Sequence, residues 1–257
     1  MRIKTIQLVK MVMLVLTVGL SIGEVSAQNA APPTPTPTPT ATPAPNPKRI
    51  PEPADVAAPR GPNGVPIEPF ATMHANFLKR GKKGPIYVLF LGDSITYGFQ
   101  NCKELWPKIA KPIQAANFAM GGNGTQHVLW QIENGELDGI SPKVAVLLIG
   151  TNNISAHNTP EDILKAECKI VDELHAKLPQ SKVLVLGIFP RAMPYQKSVV
   201  AVNEGLARLD DGSKTRYLDI GPKLVPEAFA PDAVHINVKG YQIWADAMQP
   251  LLDEMMK

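Results

Sequence analysis

The chain has 257 residues, 44% of them hydrophobic and 19% charged, with a formal net charge of +3. That length holds one domain of about 200 residues plus additional segments, and the composition is that of a globular protein with a core. The charge sits largely at the N-terminus: without Arg2, Lys4, Lys10 and Glu24 it falls from +3 to +1, which removes any electrostatic case for a nucleic-acid partner.

Residues 1–27 read as a secretory signal. Three basic residues precede an uncharged, mostly apolar run from Met11 to Ile22, and Val25-Ser26-Ala27 supplies small residues for cleavage before Gln28. The run falls short of the ~20 residues that a bilayer span requires. The expectation is export to the periplasm or outside the cell, with no stable membrane insertion after cleavage. Residues 28–47, QNAAPPTPTPTPTATPAPNP, form a Pro/Thr/Ala tract with little to bury and a preference for extended polyproline II. It is either a dispensable tail or a spacer, glycosylated on its threonines, reaching up to ~60 Å. Residues 48–69 stay proline-rich and are expected to be a poorly ordered lead-in, which places the domain at 70–257 and the linker at 28–69.

From about residue 70 strands and helices alternate. Apolar runs of strand length occupy 86–91, 115–119, 144–149, 183–188 and 216–220. Helical patterns fill 103–109, 125–134, 160–178, 197–209 and 239–255, the third opened by Thr159-Pro160-Glu161-Asp162, a cap followed by a first-turn proline and acids. Such alternation predicts an α/β fold: a five-stranded parallel sheet between two helical layers, in the flavodoxin-like order 2-1-3-4-5. Ligands in such sheets bind beyond the carboxyl ends of the strands.

Those ends carry polar clusters. Gly92-Asp93-Ser94 follows the first run, Gly121-Gly122-Asn123-Gly124 the second and Gly150-Thr151-Asn152-Asn153 the third, while Asp232-Ala233-Val234-His235 precedes the last helix. A serine hydroxyl is a weak nucleophile until a base takes its proton. His235 is the candidate base, Asp232 the acceptor that would hold its tautomer, and Gly122, Asn152 and the Ser94 N–H the donors for an oxyanion. Each cluster alone has an ordinary explanation as a turn or a cap. The glycine cluster lacks the G-x-G-x-x-G spacing of a nucleotide site. What favours chemistry is their coincidence at successive strand ends.

The four clusters correspond to the motif blocks of the SGNH, or GDSL-type, hydrolase superfamily. Within it the chain resembles the group of intracellular platelet-activating-factor acetylhydrolase catalytic subunits and their bacterial relatives. The resemblance covers about residues 70–255, most specifically NFAMGGNGTQHVLWQIENGELDGISPKVAVLLIGTNN, with VLFLGDSIT before it and KGYQIWADAM after. It implies the three-layer SGNH fold, Ser94, Asp232 and His235 as a triad, and Ser94, Gly122 and Asn152 as the oxyanion hole, with no metal or cofactor. The expected activity is a serine esterase acting on short, acetyl-type esters of a small or polymeric substrate such as a polysaccharide or glycoconjugate. The alternatives are a lysophospholipase or thioesterase, and a non-catalytic carbohydrate- or surface-binding relative. A homodimer is allowed, although the stretch after Phe189-Pro190-Arg191 is trimmed. Asn123 stands where relatives commonly carry aspartate, and the segment ahead of Asp232 is short.

The remaining features have modest expectations. Cys102 and Cys168 are read as free thiols. His127 is assigned to packing or a supporting hydrogen bond, His157 and His175 to solvent, and His74 to no catalytic role. Arg191 is expected in a surface salt bridge, and Trp130 and Trp244 in the core.

Overall fold

The computed structural model describes residues 52–257, so the signal-like segment and the Pro/Thr tract lie outside the described residues. Five strands, β1 (Val88–Gly92), β2 (Ala115–Asn117), β3 (Val144–Leu148), β4 (Lys182–Leu186) and β5 (Thr215–Leu218), form one sheet. All neighbours are parallel and the order is β2-β1-β3-β4-β5, as the alternation predicts.

The central strands β1, β3 and β4 are buried on both faces, and their side chains divide by parity. Leu89, Leu91, Ala145, Leu147, Val183 and Val185 meet helices α1 (Phe70–Gly81), α4 (Thr125–Glu133), α6 (Pro160–Lys177) and α7 (Gln196–Leu206). Val88, Phe90, Val144, Val146, Leu184 and Leu186 face α2 (Ser94–Asn101), α3 (Trp106–Ala110) and α8 (Val238–Met255). This is the period of two of a pleated strand, with both faces apolar because helices cover both. Each fully buried Leu, Val or Phe contributes about 1.5–3 kcal/mol relative to exposure. Trp244 lies fully buried in the second layer, tilted against Phe99 at 4.9 Å, and Trp130 packs on Phe70 and His74.

Three helices lie outside the predicted ranges, α2 at the end of β1 among them. Helix α1 carries Phe70, Met73 and Phe77 into the first layer, and a short α5 (Thr151–Ser155) follows β3.

The lead-in is also corrected. Residues 52–58 are held along α4 and α6 rather than poorly ordered, whereas 62–69 are mostly exposed. Thr125 Oγ1 donates to the Ala54 carbonyl (2.7 Å), the Ala58 N–H donates to the Gln126 carbonyl (3.1 Å), and Asn158 Nδ2 donates to the Glu52 carbonyl (3.0 Å). Lys165 pairs with Asp55 at 2.6 Å and Ala54 is buried. Val65 and Ile67 donate within the segment, to the Pro62 and Arg60 carbonyls, while the backbone groups of Glu52, Ala54 and Ala58 pair with the domain. The result is a strap that continues the domain back to residue 52.

Among the described residues, no helix is long and apolar enough to cross a membrane. Cys102 and Cys168 are free thiols, as expected, and burial pushes both up from the usual thiol value.

Candidate active site

The sheet order places β2 and β3 on opposite sides of β1. The loops leaving β1 and β3 therefore diverge, opening a crevice at the carboxyl edge. Gly92 ends β1 at φ 155°, where a side chain is strained, and a Cβ there would lie 2.3 Å from the Leu148 carbonyl oxygen. Asp93 follows as the cap of α2, its Oδ1 accepting the Ile95 N–H at 2.9 Å. Its side chain is buried, and that desolvation raises its acid to about 7, against the opposing pull of the Ile95 N–H, His235 and Arg191. Ser94 is consequently the first residue of α2, half-buried at the crevice.

Ser94 Oγ lies 2.7 Å from His235 Nε2, and His235 Nδ1 lies 2.6 Å from Asp232 Oδ2. The loop that carries this pair is compact. The other oxygen of Asp232 accepts the N–H groups of Val234 and His235, both at 2.9 Å, and the Ala230 N–H donates to the His235 carbonyl at 2.7 Å. Asn237 caps α8 immediately afterwards, its Oδ1 accepting from Lys239 and Gly240. The hydrogen bond from His235, with the two backbone donors, lowers the Asp232 acid to about 2. Asp232 is thus an ionised, accept-only partner near neutrality, so His235 Nδ1 is the donor and Nε2 is left to accept the Ser94 hydroxyl proton. His235 and Asp232 keep 41% and 50% side-chain exposure, so the pair is open to water.

The second and third clusters meet beside Ser94. A Cβ on Gly121 would be 3.9 Å from Ser94 Cβ, and Gly122 adopts φ 78° at the exposed rim. Asn152 Nδ2 donates to the Asn123 carbonyl at 2.8 Å, which leaves its second amide hydrogen for another acceptor. Its neighbour Asn153 has a different job. It is buried, accepts the Thr125 N–H (2.9 Å) and donates to Thr125 Oγ1 and Gln126 Oε1, tying α5 to the start of α4.

Asn123 is buried as well, and its Nδ2 donates to Gln131 Oε1 (2.6 Å) and the Gly92 carbonyl (3.3 Å). Gln131 continues to Glu136, and Glu136 to His74 Nδ1 at 2.7 Å. Burial raises the Glu136 acid to about 7 despite His74 and Gln131. Both partners of the Asn123 amide are acceptors, so an ionised aspartate at this position would oppose two oxygens. The amide nitrogen of Asn123 therefore suits its two acceptors, while its Oδ1 is buried without a hydrogen-bond partner.

The other histidines and Arg191 separate clearly. His127 accepts the Gly124 N–H at 2.7 Å, the supporting bond expected of it; burial, with a smaller contribution from Arg60, lowers it to about 4. His157 is exposed. His175 is not simply solvated but half-buried against Thr215 Oγ1 at 2.9 Å. Arg191 makes hydrogen bonds where a surface salt bridge was expected. Its Nη1 donates to Thr151 Oγ1 (2.5 Å) and to the Thr151 carbonyl (3.2 Å), and its guanidinium lies 5.0 Å from the Tyr195 ring centroid. It braces α5, which carries Asn152.

Two residues near the site escape a reading of the sequence. Glu167 on α6 is fully buried with neither oxygen hydrogen-bonded, 3.0 Å from where a Gly150 Cβ would be. Burial and the Asp93 charge raise its acid well above the usual range. Its signal was its place on the apolar stripe of α6, between Ile163 and Ile170. Arg60, from the strap, donates Nη1 to the Gly121 carbonyl and lies against Gly122. No spacing rule connects it to that loop.

The GDSL-like Lipase/Acylhydrolase family matches residues 90–243, which contain Ser94, Gly122, Asn152, Asp232 and His235. Human platelet-activating factor acetylhydrolase IB subunit alpha1 is 35% identical over 191 residues, covering 70% of this chain and 81% of that protein. A GDSL-like lipase structure from Bacteroides thetaiotaomicron superimposes with a TM-score of 0.58 at 17% identity, over 70% of this chain and 97% of that one. A carbohydrate esterase family 3 structure from Talaromyces cellulolyticus gives 0.52 at 18% identity, over 66% and 98%. Those two structures show the shared fold. With the family's blocks brought together at one crevice and a relative at this identity, the chain belongs to the GDSL-like lipase/acylhydrolase family and is a serine ester hydrolase.

Proposed function

We propose that this protein is an acetyl-preferring esterase in which Ser94 is the nucleophile, His235 the general base and acid, and Asp232 the residue that holds the imidazole. The observation that carries the reading is the unbroken relay from Ser94 Oγ to His235 (2.7 Å) to Asp232 (2.6 Å). Ser94 Oγ attacks the ester carbonyl carbon as its proton passes to His235 Nε2. The carbonyl π electrons move onto oxygen, where the N–H groups of Ser94 and Gly122 and the Asn152 amide are the proposed donors. Collapse of the tetrahedral intermediate expels the alkoxide, which takes the proton from His235. Water, deprotonated by the same imidazole, then hydrolyses the acyl-enzyme and restores Ser94.

Support for a short acyl group comes from the acetylhydrolase relative and from the openness of the His235–Asp232 pair to water. A polysaccharide or glycoconjugate substrate is supported by the signal-like residues 1–27, the spacer-like tract after them and the fold shared with a carbohydrate esterase. The proposed location is the periplasm or the cell exterior.

The test is hydrolysis of p-nitrophenyl esters from acetate to octanoate by the purified protein beside Ser94→Ala, followed by acetate release from acetylated xylan. Acetate preference that disappears in the variant supports the reading. Octanoate preference would replace it with a lipid-directed activity, and a rate indifferent to Ser94→Ala would end the catalytic assignment.

A further inference from the structure

We infer that Arg60, supplied by the proline-rich strap, is a positioning residue that orients and polarises the peptide whose N–H serves the oxyanion. The inference rests on the oxyanion role proposed above for Gly122. Arg60 Nη1 donates to the carbonyl of Gly121. That carbonyl and the Gly122 N–H belong to the same amide unit, so the peptide plane held at one end is aimed at the other. A cationic donor on the oxygen draws electron density from the amide nitrogen and makes its N–H a stronger donor, the cooperative strengthening of linked hydrogen bonds.

Three further observations agree. The guanidinium lies flat against the loop: a Cβ on Gly122 would stand 3.0, 3.1 and 3.2 Å from Arg60 Nη1, Cζ and Nη2. The Arg60 charge is felt in this loop, because it adds to burial in disfavouring protonated His127, the residue that accepts the Gly124 N–H. The strap, meanwhile, is anchored without the Arg60 side chain, through Ala54, Asp55 and Ala58 on α4 and α6. A residue needed only to pin the strap would be redundant here.

The experiment compares wild type, Arg60→Met, Arg60→Lys and Ser94→Ala on p-nitrophenyl acetate, with thermal melting of each and with guanidinium ion added back at sub-denaturing concentration. The expected result is a kcat lower by ~10- to 100-fold in Arg60→Met, with KM and melting temperature near wild type. Arg60→Lys retains part of the rate, and guanidinium restores part of it to Arg60→Met but not to Ser94→Ala. Wild-type kcat in Arg60→Met beside an inactive Ser94→Ala would overturn this inference and leave the triad standing. A loss that follows the melting temperature, without rescue, would reduce Arg60 to a structural contact and overturn it as well. Wild-type activity in Ser94→Ala would overturn both readings.

Discussion

Ser94 Oγ and His235 Nε2 lie 2.7 Å apart although 141 residues separate them in the chain. The first sits on a turn that Gly92 and Asp93 shape at the end of β1, the second on a loop held by Asp232 just before α8. Neither segment could place the pair by itself. The sheet and the second helical layer bring them together, with Tyr241 of α8 donating to the Ile95 carbonyl of α2 at 2.9 Å.

Asp232 should matter for rate at every pH at which the enzyme works. Its acid is lowered to about 2, chiefly by His235, so it remains ionised as acidity rises and does not set the acid limb of the profile. Asp232→Asn is expected to lower kcat by ~10³–10⁴-fold, because an amide at this position can favour the wrong imidazole tautomer. The pH dependence of kcat/KM for both proteins is the measurement. A near-wild-type plateau with a displaced acid limb would contradict the role.

Asn152 offers its remaining amide hydrogen beside the Asn123 carbonyl. Asn152→Ala is expected to lower kcat by ~10²–10³-fold with little change in KM, the signature of a donor used mainly in the transition state. Asn152→Asp should be worse, since a carboxylate accepts only and would face both the Asn123 carbonyl and the developing oxyanion. Steady-state kinetics on p-nitrophenyl acetate separate the two variants.

Glu167 is a stability liability. Its folded-state acid is raised, first by burial and then by Asp93, so the folded protein keeps a proton that the unfolded chain releases in the ordinary glutamate range. Stability therefore falls as pH rises from that range toward the raised value. Replacing a carboxyl group whose two oxygens lack partners with an apolar side chain of similar size should add about 1–3 kcal/mol at neutral pH. Glu167→Met should accordingly melt several degrees higher, at ~2–4 °C per kcal/mol for a domain of this size. The gain should shrink on acidification. Thermal melts across pH check both the sign and the trend.

Gly98 marks a contact the fold cannot widen. A Cβ there would be 2.2 Å from the Tyr241 hydroxyl oxygen, and the Tyr241 ring is stacked on Phe99 at 5.3 Å. Gly98→Ala should cost about 1–3 kcal/mol by overpacking. Adding Tyr241→Phe removes the nearest atom but leaves Cζ at 3.2 Å from the new methyl. The double variant should recover part of the loss, a non-additivity that denaturant unfolding can read.

The local signals in the sequence account for most of the sheet and for the site's frame. Short apolar runs locate all five strands, and the clusters after β1, β2 and β3 and before α8 do converge at the crevice. What escaped depends on contacts that have no local period. The five-residue α5 is too short to show an amphipathic pattern. The strap reads as proline-rich linker because its ordering comes from scattered partners on distant elements, Thr125 and Gln126 on α4, Asn158 and Lys165, and from single small residues such as Ala54, none of which makes a local period. Arg60 finds its partner in a single carbonyl 61 residues away, which no motif encodes. Glu167 was legible in principle, since it shares the stripe of Ile163, Ala166, Ile170 and Leu174 in α6; its charge concealed its burial.

Covalent trapping tests most directly whether Ser94 Oγ is the acyl-accepting atom. The purified protein is treated with a fluorophosphonate, digested and mapped by mass spectrometry while p-nitrophenyl acetate hydrolysis is followed. One adduct on Ser94 is expected, with activity lost in proportion to labelling and no label in Ser94→Ala. An unlabelled, fully active enzyme, or an adduct on another residue that tracks the loss, would contradict it.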